Sequence, residues 1–127
     1  MIPALNDMEL ERILERSAEA GATEAGYILL RLPYEVNDLF QEWLHEHFPQ
    51  KAGHVMSLIR QMRDGKNNQP QFGTRMRGTG TYAELLRQRY KLACKRLHLN
   101  ERHFDLNTGL FRPPARAGDQ IPLFENL

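Results

Sequence analysis

The sequence predicts an α/β protein, mostly helical with one or two strands, belonging to a larger α/β unit. Three observations carry that expectation. Apolar residues recur at helical spacing in four stretches between residues 6 and 98. One short run, Ala25-Gly26-Tyr27-Ile28-Leu29-Leu30, is apolar without alternation and ends at Arg31, which fits a strand buried on both faces. Such a strand cannot satisfy its own N–H and C=O groups, and the chain offers no second convincing strand to pair with it.

The elements follow in order. Asn6 with Glu9 has the spacing of a capping box and opens a helix over residues 6–20. Met8, Ile13, Leu14 and Ala18 approximate its apolar face, and Gly21 is a natural stop. The strand covers residues 25–32 and is closed by Pro33. A helix over 35–47 carries Val36, Leu39, Phe40, Trp43 and Leu44, a stripe that reads as core before it reads as a binding face. A third helix, 51–63, repeats the pattern with Ala52, Val55, Met56, Ile59 and Met62.

Residues 64–80 form a long polar loop, and connections beyond about 12–15 residues are usually functional or disordered. Thr81 with Glu84 then opens a basic helix over 81–98. It turns Leu85, Leu86, Leu92, Ala93 and Leu97 inward, and Arg87, Arg89, Lys91, Lys95 and Arg96 mostly outward. The organisation is thus one α/β segment, 1–98, and an irregular tail, 99–127.

A chain of 127 residues, 41% hydrophobic and 26% charged, suits one globular domain that buries roughly two-thirds of its unfolded surface. Its longest apolar run is six residues, against about 20 for a spanning helix, so no membrane contact is expected. The opening Met1–Asp7 has neither a basic region nor a long apolar one, which favours a cytoplasmic location over secretion. The single cysteine, Cys94, excludes an intramolecular disulfide and any zinc or iron–sulfur site built from this chain's thiolates alone. His45 and His47 point to different helix faces, and the other histidines are isolated. No metal site and no catalytic residue is expected.

Charge is unevenly placed. Residues 1–50 hold 3 Lys and Arg against 10 Asp and Glu, a net of −7; residues 51–127 hold 14 against 6, a net of +8. Either the second half faces an anionic partner, or the two halves pair with each other.

Three stretches carry a family likeness: Ile2-Pro3-Ala4-Leu5-Asn6-Asp7, Gly26-Tyr27-Ile28-Leu29-Leu30-Arg31-Leu32-Pro33, and Phe72-Gly73-Thr74-Arg75-Met76-Arg77-Gly78-Thr79-Gly80. In that order the chain resembles the C-terminal part of radical S-adenosylmethionine proteins similar to spore photoproduct lyase. The match runs from residue 1 to residue 111, and the nine-residue loop is its most specific piece. Relatives often carry Ile-Pro-Gly-Leu-Asn-Asp where this chain has Ala4. The resemblance implies a C-terminal fragment of a partial (β/α) barrel, with Ile2, Asn6 and Asp7 near the barrel mouth, although Asn6 and Asp7 read first as helix caps. It implies a parent enzyme with a [4Fe–4S] cluster and S-adenosylmethionine, acting on nucleic acid in DNA repair. The Cys-x-x-x-Cys-x-x-Cys motif that holds such a cluster does not occur in these 127 residues. A truncated reading frame would account for that, and this chain alone is expected to be inactive.

Arg60, Arg63, Lys66, Arg75 and Arg77 gather around a loop bearing Gly65, Gly73, Gly78 and Gly80. Arginine forks pair bidentately with phosphate and glycines let backbone N–H groups approach an anion, so these five are the candidate phosphate-binding residues. The pattern is no Walker loop, and a solvated basic loop is the competing reading. The alternative function is accordingly a small non-catalytic nucleic-acid-binding protein using its basic half. In the tail, Gln120-Ile121-Pro122-Leu123-Phe124 resembles the Gln-Leu-Ser/Asp-Leu-Phe peptide that docks on the bacterial sliding clamp, with Gln120, Leu123 and Phe124 as anchors. The competing reading folds Leu123 and Phe124 back onto the body. Finally, an unpaired strand would leave Leu29 and Leu30 exposed, so the isolated chain is expected to self-associate.

Overall fold

Helix α1 (Leu10–Glu19) buries Leu10 and Leu14 against Ala93, Cys94 and Leu99, at the far end of helix α4 (Gly80–Arg96). Between them, α2 (Val36–His47) and α3 (Pro49–Gln61) form a tight helical pair, with Pro49 supplying a first-turn residue that needs no N–H partner. Leu44 of α2 packs with Ala52, Val55, Met56 and Ile59 of α3. Met62, just past α3, joins Ala83 and Leu86 of α4 in a third cluster. Single 3-10 turns precede α1 at Asp7–Glu9 and occupy Thr108–Leu110. These coordinates are a computed structural model that describes residues 1–101, 107–112 and 114.

In place of the expected α/β fold, the described residues form helices and no strand, hence no partial barrel. The run 25–32 is nevertheless extended, and it threads all three clusters. Ala25 packs in the first, Leu29 in the third and Leu32 in the second. Its polar groups find partners one at a time instead of along a ladder. Leu30 N donates to the Met1 carbonyl (2.9 Å), and the Met1 nitrogen donates to the Ile28 carbonyl (2.8 Å). That is one pair in parallel geometry, with no continuation. Leu29 N donates to the Met76 carbonyl (3.0 Å) on the other side.

Side chains do the rest. Asn100 Oδ1 accepts from Ala25 N (2.8 Å), and Tyr90 donates its hydroxyl to the Ala25 carbonyl (2.7 Å). Arg63 donates to the Leu30 carbonyl at 2.9 Å. Of the two residues expected to lie bare, Leu29 is buried and Leu30 half-buried, while Ile28 of the same run is exposed.

Two helix starts also differ from expectation. Asn6 does not cap α1; its Oδ1 accepts from Ile2 N at 2.7 Å. Helix α4 begins after Thr79, whose hydroxyl donates to Asp64 Oδ1 (3.1 Å), and Glu84 pairs with Arg87 at 2.6 Å. Just before this start the chain crosses the core at Gly78, with φ of +69°. A Cβ there would lie 2.8 Å from Leu29 Cδ1 and 3.1 Å from the Met62 carbonyl, so only glycine lets the loop close onto the extended segment. No helix among the described residues is long and apolar enough to cross a membrane.

Candidate nucleic-acid interface

Arg63 leaves the candidate set first. It is 1% exposed, and its guanidinium donates to the carbonyls of Leu29 (3.4 Å), Leu30 (2.9 Å), Thr74 (3.3 Å) and Arg75 (2.6 Å). Those contacts tie the extended segment to the 72–77 turn. A planar fork suits several carbonyls at once, and the group is held for structure, buried where no phosphate reaches it. Burial, followed by the neighbouring Arg31 charge, lowers its pKa.

The other four are spread out. Arg60 is exposed on α3 and reaches Asn67 Oδ1 only at 3.5 Å, while Lys66 lies exposed just beyond the helix. Arg75 is half-buried, with its guanidinium 5.3 Å above the centre of the exposed Phe72 ring. Arg77 joins a concave site. It lines a groove of about 410 Å³ together with Gly26 and Tyr27 of the extended segment and Arg87, Tyr90 and Lys91 of α4.

The groove has the composition that nucleic-acid backbones meet: three cations around two aromatic rings. Tyr27 and Tyr90 hold each other at 4.8 Å between ring centres, tilted by 57°. The Tyr90 hydroxyl is pinned by the Ala25 carbonyl and by Asn100 Nδ2 (2.9 Å), so its ring cannot swing away. Burial raises the Tyr27 pKa, with the charges of Arg87 and Arg77 opposing the rise and that of Glu84 adding to it. A Cβ at Gly26 would meet no atom within 4 Å. Arg87 carries Glu84 as its counter-ion, while Arg77 and Lys91 form no ion pair among the described residues.

The sequence sets Arg87 and Lys91 on the outward face of a basic helix with no link to Arg77, reads Tyr27 as part of a strand, and offers no part for Tyr90. The spacing of Arg87, Tyr90 and Lys91, at i, i+3 and i+4, was the available signal, since those positions share one helix face.

A second polar cluster lies between α4 and the turn before α1. Tyr82 donates its hydroxyl to Asp7 Oδ2, and Asp7 is buried with no partner for Oδ1 among the described residues. Arg89 donates to the Asp7 carbonyl (3.0 Å) and grips Glu11 through both carboxylate oxygens (2.7 and 2.6 Å). Burial and then the Asp7 carboxylate push the Tyr82 pKa up to about 12. This cluster staples α1 to α4. Among the described residues no three His, Cys, Asp or Glu side chains group as metal ligands. Gln120, Leu123 and Phe124 lie outside the described residues.

The chain matches no protein-family model, no curated protein and no solved structure.

Proposed function

We propose that this protein is a non-catalytic nucleic-acid-binding module, which grips the sugar–phosphate backbone in the groove between residues 26–27, Arg77 and α4. The observation that carries the reading is the convergence of Arg77, Arg87 and Lys91 on one groove walled by Tyr27 and Tyr90. Cations fix phosphates, and the rings offer an apolar surface to sugar or base. Arg75 above Phe72 extends the positive surface from the same loop. Binding is weak and indifferent to sequence.

Salt dependence tests it. Three phosphate contacts give a slope of about −2 to −3 in log K against log salt, because each neutralised phosphate releases condensed counterions. Replacing Arg77 and Lys91 together by Ala flattens that slope by about two units. Arg12→Ala and Arg16→Ala, on α1, leave it unchanged. Absence of binding at low salt, or a slope indifferent to Arg77 and Lys91, overturns the proposal.

A second reading keeps the likeness to radical S-adenosylmethionine proteins similar to spore photoproduct lyase, with this chain as a C-terminal portion that is inactive alone. One observation favours it. Ala4 occupies the position where relatives carry glycine, and it is the only residue of the Ile2–Asp7 stretch with a left-handed backbone, at φ of +59°. The expected Gly therefore has a conformational reason in this chain too. The residues present do not fit the cluster, which needs three thiolates where the chain has one, buried Cys94. Sequencing the DNA upstream of the Met1 codon tests the reading. An in-frame Cys-x-x-x-Cys-x-x-Cys supports it, and an immediate stop codon overturns it.

A further inference from the structure

The α2 stripe that reads as core in the sequence is largely uncovered among the described residues. Leu44 is buried and Phe40 half-buried, yet Val36 is 41% exposed, Leu39 61% and Trp43 39%. Their rings form a surface cluster, with Trp43 5.8 Å from Phe40, 5.6 Å from His47 and 5.3 Å from Phe48, centre to centre. At 100° per residue, Phe40, His47, Val36, Trp43 and Leu39 follow one another around the helix, and Glu46, Glu35 and Glu42 come next, along the outer edge. From residue 32 to residue 50 there is no Lys or Arg. Glu35, Asp38, Glu42 and Glu46 form no ion pair among the described residues.

We infer that α2 is a docking surface for a basic amphipathic helix of another protein. The partner carries apolar anchors at i, i+3 or i+4, and i+7, bordered by Lys or Arg. The apolar stripe supplies the area and the aromatic anchors, as in helix-in-groove recognition. The unmatched acidic border fixes the sign of the partner and steers its approach. A second copy docked through the same face would bring the same acidic border and, from residues 32–50, no Lys or Arg to meet it, because a two-fold interface uses one patch on both subunits. Like charges at that border disfavour it. The surface is separate from the groove on α4, so the inference does not depend on nucleic-acid binding.

The protein has one tryptophan, and it sits in the proposed surface. The 127-residue chain is titrated with an 18-residue amphipathic Leu/Lys peptide, with a Leu/Glu peptide of the same pattern as control, while Trp43 emission is followed. The expected result is a saturable blue shift with Leu/Lys only, weakened about tenfold between 50 and 300 mM salt as the charges are screened. Glu42→Lys with Glu46→Lys, both exposed and harmless to the core, lowers affinity at least as much as the salt does. Their unchanged helical circular dichroism keeps that loss interpretable. Absence of a shift, an equal shift with Leu/Glu, or a shift indifferent to the Lys variants overturns the inference. So does a blue shift on raising protein concentration alone, which assigns the face to a second copy. A red shift caused by Leu123→Ala with Phe124→Ala, without peptide, assigns it to the chain's own tail and overturns it equally.

Discussion

Helices α1 and α2 both belong to the acidic half of the chain, but they use their carboxylates differently. On α1, Glu11 and Glu15 are met by Arg89 and Arg96, which lie seven residues apart on one face of α4. On α2, no carboxylate has a cationic partner among the described residues. Helix α4 divides in the same way, with Arg89 and Arg96 turned to α1 and Arg87 and Lys91 turned to the groove. The charges of −7 and +8 in the two halves are therefore neither one pair of matched surfaces nor one anion-binding patch. They separate by helix face. Charges matched between α1 and α4 tie those helices together, while the α2 carboxylates, and Arg77 and Lys91 in the groove, form no ion pair among the described residues.

Arg63 breaks that comparison most severely, because it is a cation inside the fold. Arg63→Met leaves the carbonyls of Leu29, Leu30, Thr74 and Arg75 without their donor in a site that water reaches poorly. An unsatisfied buried acceptor costs about 1–3 kcal/mol, so the whole change costs about 3 kcal/mol or more. Urea unfolding measures it. Arg60→Met, one helical turn away and exposed, should stay within about 0.5 kcal/mol. Equal effects at the two positions would show that the guanidinium is not what ties 25–32 to the 72–77 turn.

The next effect concerns the staple between Asp7 and Tyr82. Tyr82→Phe leaves buried Asp7 with neither oxygen hydrogen-bonded among the described residues, at a cost of about 1–3 kcal/mol. The pH dependence carries a sign. The folded phenol titrates at about 12 and the unfolded one at 10.0, so folding favours the neutral form. Its contribution is whole below pH 10 and is lost as pH rises toward 12. The stability gap between the parent and Tyr82→Phe should shrink across that window, and a gap that stays constant would contradict a phenol held neutral by burial and by Asp7.

Helical periodicity in the sequence is a local property, which is why the mostly helical character could be read from it. The extended run could not be placed the same way. Its lack of alternation reported burial on both faces, and the inference from burial to a sheet assumed that only backbone could answer backbone. Here Arg63, Tyr90 and Asn100 answer it from 33, 65 and 75 residues away. No spacing rule links those positions. The α2 stripe fails for the converse reason: periodicity reports an apolar face, but not whether this chain covers it. The groove was half readable, since Arg77 stood out in a glycine-bearing loop, while Tyr27 and Tyr90 meet only through the tertiary fold.

Ala4 offers a gain instead of a loss. A left-handed backbone costs a residue with a Cβ roughly 1–2 kcal/mol, partly offset by the greater freedom of glycine in the unfolded chain. Ala4→Gly should raise stability by about 0.5–1 kcal/mol, seen as a higher denaturant midpoint with an unchanged slope. A lower midpoint would mean that the Ala4 methyl, packed against the Leu32 and Leu44 cluster, outweighs the strain.

The smallest effects test the matched face itself. Arg89 and Glu11 are 28% and 34% exposed and doubly hydrogen-bonded, whereas Arg96 and Glu15 are 60% and 43% exposed with one contact. The hydrogen bond from Arg89 holds the Glu11 carboxyl below its ordinary pKa. A depressed acid stabilises the fold above its unfolded pKa, and that contribution is lost as pH falls through the folded value. A double-mutant cycle on Glu11→Gln and Arg89→Met should give a coupling of about 0.5–1 kcal/mol at neutral pH, fading in acid and in salt. The same cycle on Glu15→Gln and Arg96→Met should give about 0–0.3 kcal/mol, because two exposed side chains lose as much freedom as the contact returns. If the outer pair coupled as strongly as the inner one, exposure would not be what grades them. The contrast between matched and unmatched faces would then rest on long-range field and not on contact.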